Sequence, residues 1–230
     1  MDLVRRAIAE ALGTFGLVFI GCGVVVATAL PNSGVDLLGV AVAHALVLAV
    51  MVTATMNISG GHINPAVTIG LLVGRRITPR DAGVYVIAQL SGAVVGAWLA
   101  GALLPATAVA ATSLGTPALG HGIGFSSAVG IEAVLTFFLV FAVYGTAVAP
   151  SAPKVGGFGI GLVLLFDILV GGPLTGAAMN PARAFGPALM TGEFLSHAVY
   201  WIGPLLGGAV AGLLWDRLLI PRVEGPGAAG

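Results

Sequence analysis

Six stretches of the chain, roughly 7–30, 37–58, 82–104, 123–149, 155–174 and 194–215, are long, apolar and almost free of charge. A helix needs about 20 predominantly apolar residues to cross the hydrocarbon core of a bilayer, and each stretch reaches that length. The only acids inside them are Glu10, Glu132 and Asp167. Soluble chains average about a quarter charged residues; this one has 8%, with 58% hydrophobic residues and a mean hydropathy of +1.08. So few charges cannot cover a water-facing surface, which makes the chain an all-α integral membrane protein with six spans and the bilayer as its solvent. Two further apolar stretches, 63–73 and 179–190, are too short to cross and must be re-entrant, interfacial or buried against protein. The first stretch lacks the pattern of a cleavable signal and is read as the first span.

Charge and cysteine content exclude several classes. The net charge is zero, so there is no electrostatic case for a nucleic-acid partner. Cys22 is the only cysteine, which rules out an intrachain disulfide and a site built on several thiolates. No nucleophile, base and orienting acid share a motif, and neither an enzyme, a metal nor a cofactor is expected. The basic residues are informative by position. Arg5 and Arg6 precede span one, Arg75, Arg76 and Arg80 follow span two, Lys154 follows span four, and Arg217 and Arg222 follow span six. All lie on one side, so the positive-inside rule predicts both termini in the cytoplasm. Arg183 is the exception, a cation on the outer side inside a short apolar stretch, where it needs water, carbonyls or an acid. Eight arginines to one lysine favour a plasma membrane, with a vacuolar membrane as the alternative.

The chain is duplicated. Glu10-Ala11-x-x-Thr14-Phe15 recurs as Glu132-Ala133-x-x-Thr136-Phe137, Asn64-Pro65-Ala66 as Asn180-Pro181-Ala182, and Tyr85-x-Ile87-x-x-Leu90-x-Gly92 as Tyr200-x-Ile202-x-x-Leu205-x-Gly207. The three matches keep their order at offsets of 122, 116 and 115 residues, defining repeats 1–110 and 123–222 within one transmembrane domain, 1–230. Each repeat holds three spans, an odd number, so the second enters the membrane upside down relative to the first. The two short stretches then enter from opposite faces. Asn suits the N-cap and Pro the first helical turn, so each Asn-Pro starts a half-helix, and the two starts meet near the midplane. Ser59-Gly60-Gly61-His62 and Gly171-Gly172-Pro173 are expected to supply the non-helical backbone at that depth, tolerated only where it is buried or lines water.

Ser59-Gly60-Gly61-His62-Ile63-Asn64-Pro65-Ala66-Val67-Thr68 and Met179-Asn180-Pro181-Ala182-Arg183 resemble the paired signature loops of the aquaporin, or major intrinsic protein, family. The likeness covers nearly the whole chain. Gly176 to Ala188, with Tyr200-Trp201 beyond, is similar to the plant tonoplast branch. The resemblance implies a homotetramer with one pore per subunit, passing water and small neutral solutes passively. It implies that Glu10 and Glu132 accept hydrogen bonds from the signature loops, and it leaves His62 as a residue capping its own loop. It places a four-residue constriction at His44, Ile168, Ala177 and Arg183. Strictly water-selective members carry an aromatic ring and a histidine where His44 and Ile168 stand, so ammonia, hydrogen peroxide and urea are expected to pass with water. Glycerol facilitators carry an acid after the motif arginine, where this chain has Ala184.

A physical mechanism accompanies the resemblance. Two half-helices aimed at one point place about half a positive charge each at the pore centre, which repels cations. Asn64 and Asn180 can give amide N–H groups to one passing water, saturating its oxygen so that it accepts no proton from its neighbours. His44 and Arg183 are expected to supply donors at the constriction. The competing readings are an anion channel with Arg183 as its filter charge, and an ion-coupled secondary transporter, since these also use inverted repeats and broken helices.

Overall fold

The computed structural model describes residues 2–220; Arg222 lies outside them. Helices α1 (Leu3–Ala27), α2 (Leu37–Ser59), α3 (Pro65–Val73) and α4 (Pro79–Leu103) form the first half. After a short helix α5 (Ala106–Ala111), the second half repeats the order as α6 (Phe125–Val143), α7 (Phe158–Thr175), α8 (Pro181–Thr191) and α9 (Val199–Leu214). Helices α6 and α9 each run on through one π-helical turn, to Val148 and Leu219. Among the described residues there is no strand, and six helices are long and apolar enough to cross a membrane.

Two boundaries depart from the sequence reading for identifiable reasons. Helix α1 begins before its apolar window because the Asp2 carboxylate caps it, accepting from the Val4 N–H. Its Arg6 is satisfied inside the helix, at 2.7 Å from both Asp81 Oδ2 and the Tyr85 hydroxyl. The second departure is a correction: Gly171-Gly172-Pro173 is helical, and α7 continues to Thr175. Proline here gives up its own N–H bond and crowds the carbonyl four residues back, but the helix ends two residues later, at Thr175. Gly176 N–H closes back onto the Gly172 carbonyl at 3.0 Å and Gly120 N–H donates to the Leu174 carbonyl at 2.8 Å, so these two terminal carbonyls are satisfied. The non-helical backbone is instead Gly176–Asn180, the counterpart of Gly60–Asn64.

Both loops turn in the same way. Positive φ occurs at Gly60, Gly61 and Ile63 in one, and at Gly176, Ala177 and Met179 in the other. In the second loop Ala177, at φ 45°, stands where the first has glycine, a backbone state that costs free energy and persists only where surroundings enforce it.

The two halves interlock. Helix α1 packs on α4 and α6 on α9, while α2 meets α7. Each half-helix crosses over to the other repeat, α3 against α9 and α8 against α4. Inside a bilayer helices gain little from the hydrophobic effect against one another, so close approach at small residues carries the packing. A Cβ on Gly92 would strike the Ala11 carbonyl oxygen, and one on the matched Gly207 would strike that of Ala133. These crossings bring the two half-helix starts together in the middle of the bundle.

Candidate channel and its constriction

The Asn-Pro pairs build the centre. Asn64 Oδ1 accepts from Ala66 N–H at 2.8 Å, and Asn180 Oδ1 accepts from the N–H groups of Ala182 and Arg183 at 3.0 and 3.2 Å. Each asparagine therefore caps its own half-helix, with Pro65 and Pro181 as first helical residues. Each amide also crosses to the other loop. Asn64 Nδ2 donates to the Met179 carbonyl at 2.8 Å, and Asn180 Nδ2 to the Ile63 carbonyl at 3.0 Å. Those carbonyls point inward because Ile63 and Met179 hold left-handed φ values. One amide N–H on each side is thereby used, and one remains. Ala66 and Ala182 are fully buried behind them.

Two buried carboxylates hold the loops in register. Glu10 accepts from the Ser59 hydroxyl (2.6 Å), His62 N–H (2.9 Å), Ile63 N–H (2.6 Å) and Gln89 Nε2 (2.7 Å). Glu132 accepts from the Thr175 hydroxyl (2.7 Å), Ala178 N–H (2.9 Å) and Met179 N–H (2.7 Å). The matched Tyr85 and Tyr200 hydroxyls donate to the carbonyls of Ser59 and Thr175 at 2.6 and 2.8 Å. The sequence reading missed these tyrosines as supports, together with Ser59, Thr175, Gln89 and Thr68. The Tyr85/Tyr200 match and a hydroxyl before each loop were the available signals.

His62 supports its loop from the side. Asn64 performs the capping, while His62 Nδ1 lies 3.0 Å from the Thr68 hydroxyl, which gives its own proton to the Asn64 carbonyl and accepts from Gln89 Nε2. His62 thus braces its loop against the second turn of α3. Its ring also stands edge-on to Tyr85, with centroids 4.9 Å apart.

A narrow cavity of about 20 Å³ runs along this centre, and it is lined by Asn64, Asn180, His62, His44, Ile168, Ala177 and Arg183. The remaining wall is apolar, from residues such as Leu17, Leu48, Leu139 and Leu164. His44, Ile168 and Arg183 also border a wider cavity of about 460 Å³. These three therefore stand at the junction of the wide and narrow spaces, with Ala177 just inside. Arg183 reaches it by donating from Nη1 to the Gly115 carbonyl at 2.9 Å; no acid pairs with it among the described residues.

His44 corrects an expectation. Its Nδ1 lies 2.9 Å from the Val40 carbonyl, and a carbonyl can only accept, so Nδ1 carries the proton and donates it there. Nε2 is buried without a partner. In the neutral ring Nε2 is then an acceptor and offers the lumen no donor, which leaves Arg183 as the donor side chain of the four. Of the other polar residues, Asp167 is buried with Oδ2 unpartnered among the described residues. His121 is exposed, and His197 Nε2 accepts from Trp201 Nε1 at 3.1 Å. Cys22 is buried.

Comparison with known proteins agrees with this arrangement. The family model described as major intrinsic protein matches residues 1–215. Aquaporin TIP4-4 of Zea mays is 50% identical over 227 residues, covering 95% of this chain and 88% of that protein. Aquaporin TIP4-1 of Arabidopsis thaliana is 43% identical over 232 residues, covering 98% and 90%. The solved structure of the aquaglyceroporin from Plasmodium falciparum superposes with a TM-score of 0.81 at 25% identity, over 94% of this chain and 97% of that one. With two interlocked half-helices, crossed asparagine amides and a cavity between them, this chain belongs to the major intrinsic protein family, the family of the aquaporins.

Proposed function

We propose that this membrane channel conducts water through the cavity between α3 and α8, admits ammonia, hydrogen peroxide and urea as well, and excludes protons and ions. The observation that carries the reading is the crossed pair at the centre. Each asparagine gives one amide N–H to the opposite loop and keeps one, aimed by that bond, for a water oxygen. Two facing helix starts add positive potential there. The leucine-rich wall leaves a transiting water few other partners, so binding is weak and passage fast. In this reading Pro65, Ala66, Pro181 and Ala182 set the two helix starts, and Glu10, Glu132 and His62 keep the loops in place.

The constriction is His44, Ile168, Ala177 and Arg183. Ile168 and Ala177 make one side apolar and small, His44 is withdrawn into the helix packing, and Arg183 is the single fixed charge. An opening of that kind admits solutes somewhat larger than water while holding them by one donor. The functional unit is a homotetramer with one channel per subunit, built on repeats 1–110 and 123–222 of a single domain, with both termini cytoplasmic in a plasma or vacuolar membrane. Ion-coupled transport would need acids or hydroxyls clustered at the midplane around an ion, whereas the two facing helix starts at Asn64 and Asn180 present donors.

Stopped-flow measurements on proteoliposomes test the reading. Osmotic shrinkage is expected to be several-fold faster than in empty liposomes, with ammonia and urea entry raised, and with proton leak and electrical conductance at the lipid background. Shrinkage no faster than in empty liposomes overturns the water channel, and a measurable anion conductance makes it an anion channel. The range of solutes has its own test. His44→Phe with Ile168→His rebuilds a ring and a histidine at the constriction, and is expected to keep water flux within about threefold while cutting urea flux by about tenfold or more. A wild-type channel that passes water alone removes the basis for the wide constriction.

A further inference from the structure

The His44 imidazole is 97% withdrawn from solvent, at 3% exposure, although it borders both the narrow and the wide cavity. What lets it withdraw is a missing side chain on α1. A Cβ built on Gly21 would lie 2.7 Å from His44 Nε2, 3.2 Å from Cδ2 and 3.4 Å from Cε1, and those are its three nearest atoms. The ring fills the place where residue 21 would otherwise project. Its opposite nitrogen is anchored to the Val40 carbonyl at 2.9 Å, so the imidazole is clasped between its own helix and the bare backbone of α1.

The inverted repeat gives an internal control. By the 122-residue offset of α1 and α6 Gly21 corresponds to Val143, and by the 116-residue offset of the loops that follow α2 and α7 His44 corresponds to Ile160. Val143 and Ile160 both line the narrow cavity, so in the second half two apolar side chains share the wall, whereas in the first His44 alone of the matched pair reaches it. The same stretch of α1 also backs the other side of the constriction. The Gly115 carbonyl that holds Arg183 belongs to a residue whose added Cβ would lie 3.1 Å from Val25 Cβ and 3.5 Å from Cys22 Cα.

We propose that Gly21 is a positioning residue of the constriction, setting through His44 how far the channel opens to solutes larger than water. The inference rests on the reading of His44 as a wall of that constriction. A methyl group at position 21 takes the place of the imidazole. Helix α1 cannot back away to relieve the contact, because on another face the Ala11 and Phe15 carbonyls are seated against Gly92 and Gly96 of α4. The ring moves instead, and the space on its free side is the lumen.

Three variants in proteoliposomes decide it: His44→Ala, Gly21→Ala, and both together, each read as urea flux divided by water flux per folded protein. His44→Ala is expected to raise the ratio. Gly21→Ala is expected to lower it by about tenfold while water flux stays within about threefold, because a narrower opening excludes the larger solute first. The double variant is expected to match His44→Ala alone, since the methyl group then has no ring to displace. A ratio unchanged in Gly21→Ala, while His44→Ala shifts it, overturns the role of Gly21 and leaves the constriction standing. A ratio unchanged in His44→Ala overturns both. A double variant well below His44→Ala shows that residue 21 acts by another route and overturns the proposal. Should Gly21→Ala alone fail to fold, a folded double variant supports the same clash, and a double variant that also fails overturns it.

Discussion

Replacing Arg183 by valine is expected to raise proton flux through the channel by up to about a hundredfold and urea flux several-fold, with water flux little changed. The proton figure is electrostatic. A unit charge about 6 Å from a passing cation, at an effective dielectric constant of about 20, contributes about 3 kcal/mol, or roughly a hundredfold in passage. Arg183 supplies that charge at the junction of the wide and narrow cavities, where no acid neutralises it among the described residues. The gain is a ceiling, because the two helix starts at Asn64 and Asn180 remain as a second barrier. The urea figure follows from volume, since valine neither reaches the Gly115 carbonyl nor fills the space beside Ile168. Arg183→Lys separates the two effects. It keeps the charge but loses the planar fork that serves a carbonyl and the lumen together, so urea flux is expected to rise while proton flux stays low. Stopped-flow urea uptake and a pH-dye leak assay on the same vesicles read both, and unchanged fluxes in Arg183→Val place that side chain off the conduction path.

The sequence carried the architecture because membrane insertion acts on lengths and charges that can be counted. Helix α2 was legible almost to the residue, since Asp36 caps its start and Gly60, at φ 94°, ends it. The half-helices were legible because Asn64-Pro65 and Asn180-Pro181 are start signals with no other use in a stretch too short to span. What misled was composition taken without context. Gly171-Gly172-Pro173 reads as a break, yet the chain there stays helical, since Gly120 from the connection between the halves satisfies the Leu174 carbonyl. Arg6 reads as the edge of a span, yet it lies within α1 because Asp81, 75 residues on, meets it. Those partners are distant in sequence, and no local pattern announces them. His44 shows the same limit at the constriction. Its position follows from spacing to the motif, but the direction of its donor depends on the Val40 carbonyl and its withdrawal on Gly21, a glycine among 36.

The second large effect concerns stability and tells the two repeats apart. Glu10→Leu is expected to abolish the folded channel. It strands the Ser59 hydroxyl, two backbone N–H groups and the Gln89 amide in a site with no exposure to solvent. Each buried donor left unpaired costs about 1–3 kcal/mol, and four of them consume most of the roughly 5–15 kcal/mol by which a domain is stable. The graded comparison is Glu10→Gln against Glu132→Gln. A glutamine at position 10 can still accept from Ser59 and His62, but its amide nitrogen then faces Ile63 N–H and Gln89 Nε2, two donors. At position 132 the same nitrogen faces only Met179 N–H, because the residue matching Gln89 is Pro204, which brings no side-chain donor. Glu10→Gln is therefore expected to lower the thermal unfolding temperature in detergent more than Glu132→Gln. Its water flux per folded protein is expected to fall further too, since Glu10 fixes the loop that aims the Ile63 carbonyl at Asn180. Equal losses in the two variants mean that Gln89 contributes nothing to the fit. A larger loss at Glu132 means that the strain at Ala177, φ 45°, weighs more than the count of donors, because Glu132 also holds the Ala178 and Met179 amides that follow it.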